Sequence, residues 1–495
     1  MNFGDAIIDL MRAIYGNMYS AVTINGAKTK YFQLTRSIRQ GDPSAVTWFI
    51  LAIEPLGNLI RASKTIHPII IPNQASKRLN MYIDDTTVFT SDARDHDVIS
   101  EINDTYEKGS GAKFNPEKTE IILLGKWSDN SRSILPSKNI KKNIKLLGVW
   151  FGPDAGDLNN SSILAKVDKA LEFWRNIKLS FEGKKLIIAT KILSQVTHVA
   201  KVTGISKTLQ QNLQKRITSF FWHPRKMCLV SMATLQNEIS DGGLELPNLH
   251  VLNKALLTER ICKIMKYDPP WKGQLIYRNG FSLRSLDASF ATTTYSHTFS
   301  QTPMSDIIVS TYRELKDTVT DWSKENFRSL QRKLYVKTDT RVGNRRDFSN
   351  TWMQINRATK DRKCRDMCFL IAHDSLPLNA MLTRRHVTKT DACQLCGKYP
   401  ETPTHLFVEC RHVHFIKRIL EKLIDPLMAR TLSEEEILYH EGRIKMKKKA
   451  STLISIYKHS IWICRAKLYY DEIKRKDLHS TLQSLMKQKI DRAKL

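Results

Sequence analysis

Two groups of side chains stand out for the chemistry they permit. The first is Tyr82-Ile83-Asp84-Asp85. Adjacent carboxylates at a turn repel one another, and a divalent cation between them and a phosphate removes that cost. Mg²⁺ in particular is held by one or two carboxylates plus substrate phosphate oxygens. Two such ions can clamp the attacking and leaving oxygens of phosphoryl transfer. Taken alone, an Asp-Asp pair reads as a solvated turn. The second group is Cys393-x2-Cys396-x8-His405-x4-Cys410. Three soft sulfurs and one imidazole suit tetrahedral Zn²⁺ in a closed structural site. A tight turn with Gly397 just after it brings the first two thiolates together, and a short helix carrying His405 and Cys410 closes the site.

The elements that must position these groups can be read from periodicity. Residues 5–18 place Ile7, Ile8, Met11, Ile14 and Tyr15 at helical spacing. A hairpin follows, with Asn25-Gly26 as its two-residue turn between Tyr19–Ile24 and Tyr31–Leu34. Residues 44–63 read as an amphipathic helix, Asn80–Thr90 as two short strands around the Asp-Asp turn, and 94–110 as a helix. Residues 119–124 and 144–151 read as strands. This order is α+β, an antiparallel sheet covered by helices. Long helical patterns run from about 160 to Phe220-Phe221-Trp222. Residues 226–349 are a mixed connection, 350–420 hold the cysteine cluster, and 421–495 read as a basic helical tail with Lys447-Lys448-Lys449.

Composition narrows the partners. The 495 residues include 78 Lys and Arg against 49 Asp and Glu, a net charge of +29. Such an excess repels itself unless a polyanion is the habitual partner. Eight cysteines are too few for a disulfide scaffold of this length, and the clustered ones point to metal binding in a reducing, intracellular compartment. Cys364, Cys368, Cys228, Cys262 and Cys464 read as buried core thiols. Asp5 and Asp9 exclude a signal peptide from the first residues. No uninterrupted apolar run reaches about 18 residues, so no membrane span is expected.

The neighbours of the Asp-Asp pair change its reading. Upstream stands Ile38-Arg39-Gln40-Gly41-Asp42-Pro43. Downstream stand Gly111-Ala112-Lys113-Phe114-Asn115-Pro116-Glu117-Lys118 and Ile144-Lys145-Leu146-Leu147-Gly148-Val149-Trp150-Phe151-Gly152. In order and spacing these resemble motifs B, C, D and E of a reverse-transcriptase palm. Leu179–Leu186, Phe221-Trp222-His223-Pro224, Gly242–Leu249 and Asn253-Lys254-Ala255-Leu256 resemble the thumb, and the segment after it, of LINE-type (non-LTR) retrotransposon enzymes. Leu376-Pro377, Arg384-Arg385-His386 and Glu401–Cys410 resemble the zinc-binding domain at the C-terminus of those enzymes.

The resemblance implies a division into a partial palm (1–155), a helical thumb (156–225), a connection (226–349), a zinc-binding domain (350–420) and the basic tail (421–495). It implies that Asp84 and Asp85 hold Mg²⁺ and that Lys118 faces the pyrophosphate leaving group. Arg39, Gln40, Gly41 and Tyr82 would contact template and nucleotide, and Leu147, Gly148 and Trp150 would seat the primer end. Lys113 reads as a solvated surface residue. Arg384, Arg385, Arg411 and His412 would face nucleic acid. The partners implied are an RNA template, an RNA–DNA or DNA duplex, and dNTPs; the implied compartments are cytoplasm and nucleus.

The family's third carboxylate lies in a block of the type Phe-Asp-x-x-x-Ala-Phe-Asp, which residues 1–35 do not contain. Asp5 and Asp9 lie on a helix and do not replace it. Two functions follow: an RNA-directed DNA polymerase inactive as this polypeptide alone, or a non-catalytic RNA- and DNA-binding remnant with a structural zinc module. A zinc-dependent transcription factor leaves the palm motifs unexplained.

Overall fold

A computed structural model describes residues 4–34, 38, 41–70, 76–127, 139–225, 227–267, 303–339, 349–428, 431–440 and 447–494. Those up to Gly156 form one compact unit, and those from Asp157 onward form a second.

The first unit opens with α1 (Asp5–Tyr15), an amphipathic helix none of whose residues is buried. Next come β1 (Met18–Ser20), β2 (Thr23–Ile24), β3 (Ala27–Lys28) and β4 (Phe32–Leu34). β2 pairs antiparallel with β3 and β1 with β4. The turn is Asn25-Gly26, both at positive φ (49° and 86°), the geometry of a type I′ hairpin. α2 (Ala45–Ala62) and α3 (Asp95–Ser110) flank β5 (Leu79–Tyr82) and β6 (Asp85–Val88). Leu56 and Ile60 of α2, Ile66, Leu79 of β5 and Tyr106 of α3 make the core beneath this hairpin. Tyr106 locks it by donating its hydroxyl to the Ala52 carbonyl (2.9 Å). β7 (Ile144–Leu146) and β8 (Val149–Phe151) form the last hairpin.

The antiparallel pairing agrees with the α+β reading, but among the described residues the strands stay in separate two-stranded ladders. Residues 119–124 do not form a strand. Ile121 makes a single parallel bridge to Ile140, and among the described residues no neighbouring strand continues the ladder. Among the described residues α2 alone is long and apolar enough to cross a membrane. It carries an ion pair between Glu54 and Arg61 (2.8 Å), and it buries Leu56, Gly57 and Ile60 within the unit.

The second unit is helical: α4 (Ala155–Arg175), α5 (Phe181–Ile187), α6 (Leu193–Thr203), α7 (Lys207–Trp222), α8 (Met232–Gln236) and α9 (Leu249–Tyr267) come first. α10 (Pro303–Leu315), α11 (Phe327–Lys333), α12 (Ser349–Ala358), α13 (Arg362–Ala372) and α14 (Asn379–Arg384) follow. α15 (His414–Met428), α16 (Glu434–Tyr439), α17 (Lys448–Tyr469) and α18 (Leu478–Ala493) complete it. Ser180 and Ser206 cap α5 and α7 by accepting from Gly183 and Leu209 N–H. Phe181 stacks on Phe221 (5.3 Å) and meets Trp222 and Phe369 edge-on.

The Gly242-Gly243 segment is a packing device. Gly242 sits at φ 77° against the Trp352 ring, and a Cβ on Gly243 would fall 1.9 Å from the Asn237 carbonyl oxygen. Asn253 is buried and holds both the N–H (2.9 Å) and the carbonyl (3.1 Å) of Ile205.

The stretch expected as a basic tail is helical but is no appendage. α17 buries fourteen of its residues and packs on α12, α13, α15 and α18. Cys262, Cys364, Cys368 and Cys464 are buried as expected, whereas Cys228 is exposed.

Candidate functional sites

The paired aspartates lie at the apex of the β5–β6 hairpin. Tyr82 pairs with Asp85, so the two-residue turn is Ile83-Asp84 and Asp85 opens β6. Ile83 has φ 54°. A β-branched residue in the left-handed region costs about 1–3 kcal/mol, and such strain persists where the surroundings impose it, often at functional turns. The result is two exposed carboxylates side by side, with Tyr82 exposed beside them. Among the described residues no third His, Cys, Asp or Glu joins them in a metal-sized cluster.

The surrounding blocks are placed as follows. Gly41 has φ 90° and open space where a Cβ would stand, so its glycine is required by conformation rather than by crowding. Asp42 then joins α1 to α2: it accepts from Tyr15 Oη (2.7 Å), Ser44 N–H (2.9 Å) and Ser44 Oγ (2.8 Å). Arg39 and Gln40 lie outside the described residues. Lys118 is exposed at the end of a turn in which its N–H donates to Asn115 (3.2 Å to the carbonyl); Lys113 is exposed too. Leu147 (φ 47°) and Gly148 (φ 84°) make the tight β7–β8 turn. Trp150 pairs across the ladder with Lys145, whose ammonium lies 5.7 Å from the ring centre.

The second site is more closed. Cys393, Cys396, His405 and Cys410 are all buried, and one ligand atom from each lies within 4.8 Å of all the others. Cys393 and Cys396 sit in a knuckle closed by Cys393 N–H to the Tyr399 carbonyl and Gly397 N–H to the Cys393 carbonyl, both 2.7 Å. Gly397 takes φ 71° there. His405 begins a π-helical turn (His405–Glu409), and Cys410 follows it with its N–H on the His405 carbonyl. Such turns recur at functional sites because the wider bond spacing re-aims side chains. His405 Nε2 faces Cys396 Sγ at 3.4 Å, while Nδ1 is turned to the Glu409 carboxylate at 3.8 Å, the side from which an outer carboxylate supports a ligand imidazole. Hydrogen bonding from Cys393 holds the Cys410 thiol below its usual value; the same bond, and then burial, push Cys393 up. Metal binding would displace the protons of these thiols. Four soft, buried, convergent donors fit Zn²⁺.

Behind this module lies an ion pair that sequence reasoning missed. Glu401 is 0% exposed. It accepts from Asn379 N–H (2.9 Å), Gln394 N–H (3.0 Å) and both Nε (3.0 Å) and Nη2 (2.6 Å) of Arg465 on α17. Tyr457, also on α17, donates to the Phe407 carbonyl (2.6 Å). Arg384 and Arg411 are exposed, while Arg385 reaches the Cys228 carbonyl (3.3 Å). A groove of about 1040 Å³ also runs along α7, lined by Lys207, Gln214, Lys215 and Thr218 at helical spacing and by Arg225.

Comparison with known proteins agrees with this geometry. Residues 5–151 match the family model described as reverse transcriptase (RNA-dependent DNA polymerase). Residues 332–416 match the one described as zinc-binding in reverse transcriptase. The chain thus carries a reverse-transcriptase domain and the zinc-binding domain that accompanies it. It is similar to the transposon TX1 uncharacterized 149 kDa protein of Xenopus laevis, 24% identical over 284 residues. That alignment covers 54% of this chain and 21% of the relative, so the chain spans about a fifth of that protein.

Proposed function

We propose that this chain is the C-terminal portion of a LINE-type retrotransposon reverse transcriptase, which extends a DNA primer on an RNA template with dNTPs. The observation that carries the reading is the β5–β6 hairpin, which presents Asp84 and Asp85 at a strained, exposed apex inside a reverse-transcriptase domain. These two carboxylates would hold Mg²⁺, which supplies charge neutralisation at the transferring phosphoryl group. Lys118 offsets charge on the pyrophosphate as it leaves. Arg39, Gln40, Gly41 and Tyr82 position template and nucleotide, and Leu147, Gly148 and Trp150 seat the primer. The helices of 156–225 act as a thumb whose groove along α7 follows the duplex. Cys393, Cys396, His405 and Cys410 would hold a structural Zn²⁺. The reducing compartments in which such a thiolate site survives are the cytoplasm and nucleus.

One observation favours inactivity of residues 1–495 by themselves. A two-ion clamp needs a further carboxylate, and among the described residues none joins Asp84 and Asp85. The polypeptide alone then binds template and duplex without synthesis. Primer extension on a poly(rA)–oligo(dT) template tests this. The chain alone should give no product. Supplying a preceding segment with fingers and a strand-borne Asp should give product that Asp84→Asn abolishes. Robust synthesis by the chain alone refutes the incompleteness, and synthesis that survives Asp84→Asn refutes the site.

A further inference from the structure

A basic cleft of about 410 Å³ lies in the second unit where α5, the end of α12, the start of α13 and the start of α17 meet. Five cations line it: Arg357, Lys360, Arg362, Arg365 and Lys448, with Glu182 as the one lining carboxylate. Its acidic neighbours are already engaged. Glu182 pairs with Arg362 (3.3 Å) and with Arg365. Asp361 caps α13 by accepting from Lys363 and Cys364 N–H, and it is offset by Lys489 (3.3 Å). Arg365 is further fixed by the carbonyl and side-chain oxygens of Asn356, both 3.2 Å.

The other three cations are different. Arg357, Lys360 and Lys448 are exposed, and among the described residues none has a carboxylate partner. Lys363, Lys447 and Lys449 are exposed close by in sequence, so positive charge continues past the rim. The backbone that carries these groups is anchored rather than loose. Thr359, between Arg357 and Lys360, is 9% exposed and accepts the Asp361 N–H (3.0 Å). Thr452, one turn on from Lys448, is buried and donates to the Ala358 carbonyl. Cations carried on an anchored backbone around an open cleft, with no carboxylate partner among the described residues, are what a phosphodiester backbone requires. Arginine forks grip phosphate in two places, and lysines add point charge.

We infer that this cleft is a sequence-independent binding site for the phosphate backbone of a nucleic-acid strand, built by the zinc-module side of the protein and held in shape by α17. The inference rests on the reading that the chain binds nucleic acid, and it names a contact separate from the hairpin carboxylates. It also gives Lys448 of the Lys447-Lys448-Lys449 run a role other than solvation.

The test is binding of fluorescein-labelled poly(U) by the full chain across a salt series, with the variant R357Q/K360Q/K448Q. Each phosphate contact on a single strand contributes about 0.7 to the slope of log K against log salt. Losing three should flatten the slope by about 2, which is roughly a hundredfold in affinity at 0.1 M salt if the lines meet near 1 M. A control of equal charge, R418Q/K422Q/K487Q, removes exposed cations from α15 and α18 and should move the slope by well under 1. Unchanged zinc content and thermal unfolding certify the fold of both. Equal slopes for the wild type and R357Q/K360Q/K448Q overturn the cleft assignment while leaving nucleic-acid binding in place. A control that flattens as much as the cleft variant overturns it too, since net charge then explains the effect. Absence of poly(U) binding by the wild type refutes both this inference and the reading on which it rests.

Discussion

Changing Glu401 to Gln should loosen the zinc module far more than one lost charge at a surface would. The carboxylate meets four donors with two oxygens: Oε1 takes Gln394 N–H and Arg465 Nε, and Oε2 takes Asn379 N–H and Arg465 Nη2. A glutamine keeps one acceptor oxygen. Its amide nitrogen must then face either the Asn379 or the Gln394 N–H and one arm of the guanidinium, donor against donor. Breaking a buried ion pair from one side costs about 3–5 kcal/mol, because the remaining charge is left uncompensated. An orphaned buried N–H adds about 1–3 kcal/mol. The guanidinium of Arg465 also lies over the Trp462 and Tyr469 rings, 5.0 and 5.9 Å from their centres, which recovers part of the loss. A net destabilisation of roughly 3–5 kcal/mol follows. Because the chain has two units, the assay should be local. Hydrogen exchange at the Asn379 and Gln394 amides should accelerate by about two to four orders of magnitude. Chelator-driven zinc release should quicken alongside it. Replacing Arg465 as well, by Met, should recover much of the protection. Protection that changes less than tenfold in E401Q would refute the idea that this pair joins α17 to the module.

Two further perturbations have defined outcomes. Cys396→Ser should lose the metal and unfold the 393–410 module while near-ultraviolet signals from the β5–β6 unit persist; retention of zinc at wild-type stoichiometry counts against the ligand set. Asp366 is pushed up to about 7, mainly by burial and against the lowering effect of the Phe181 N–H it accepts. Its protonated form is therefore the one favoured by folding, and stability falls as pH rises from about 4, where the unfolded carboxyl ionises, to about 7. Lys184, lowered to about 8 by burial, stays charged through that window. Asp366→Asn keeps an acceptor for Phe181, so its advantage over the wild type in urea midpoint should grow between pH 4 and 7 and then level off. An advantage that shrinks with rising pH contradicts the burial argument.

Local chemistry made much of both sites readable. Asn25-Gly26 readily takes positive φ at two successive residues, so its hairpin follows from turn rules alone. Leu147 does not favour positive φ, so 144–151 reads as one strand where the structure turns back at Leu147-Gly148. The Cys-x2-Cys spacing likewise dictates a knuckle. The features that escaped are tertiary. Lys458 and Arg465 make α17 look like a solvated basic helix. Yet Lys458 is fully buried on the Leu438 carbonyl (2.8 Å) and His440, and Arg465 finds Glu401 64 residues away. No periodicity count anticipates a partner that distant. Residues 119–124 have strand composition, but among the described residues they pair only through the Ile121–Ile140 bridge, and β-propensity expresses itself only against a neighbour. The exposed cations of the basic cleft come from two segments, 357–360 and 448, that the packing of α12 against α17 brings together.

Asp84 and Asp85 are proposed to seat the metal ions of a polymerase. Fe²⁺ in place of Mg²⁺, with ascorbate and peroxide, generates radicals that cut the backbone beside the bound ion. With primer–template and dNTP present on the polypeptide that supplies the third carboxylate, cleavage should fall at the β5–β6 turn, residues 83–86, and should disappear in D84N/D85N. Cleavage that maps elsewhere in the reverse-transcriptase domain, or that persists in D84N/D85N, would contradict the account.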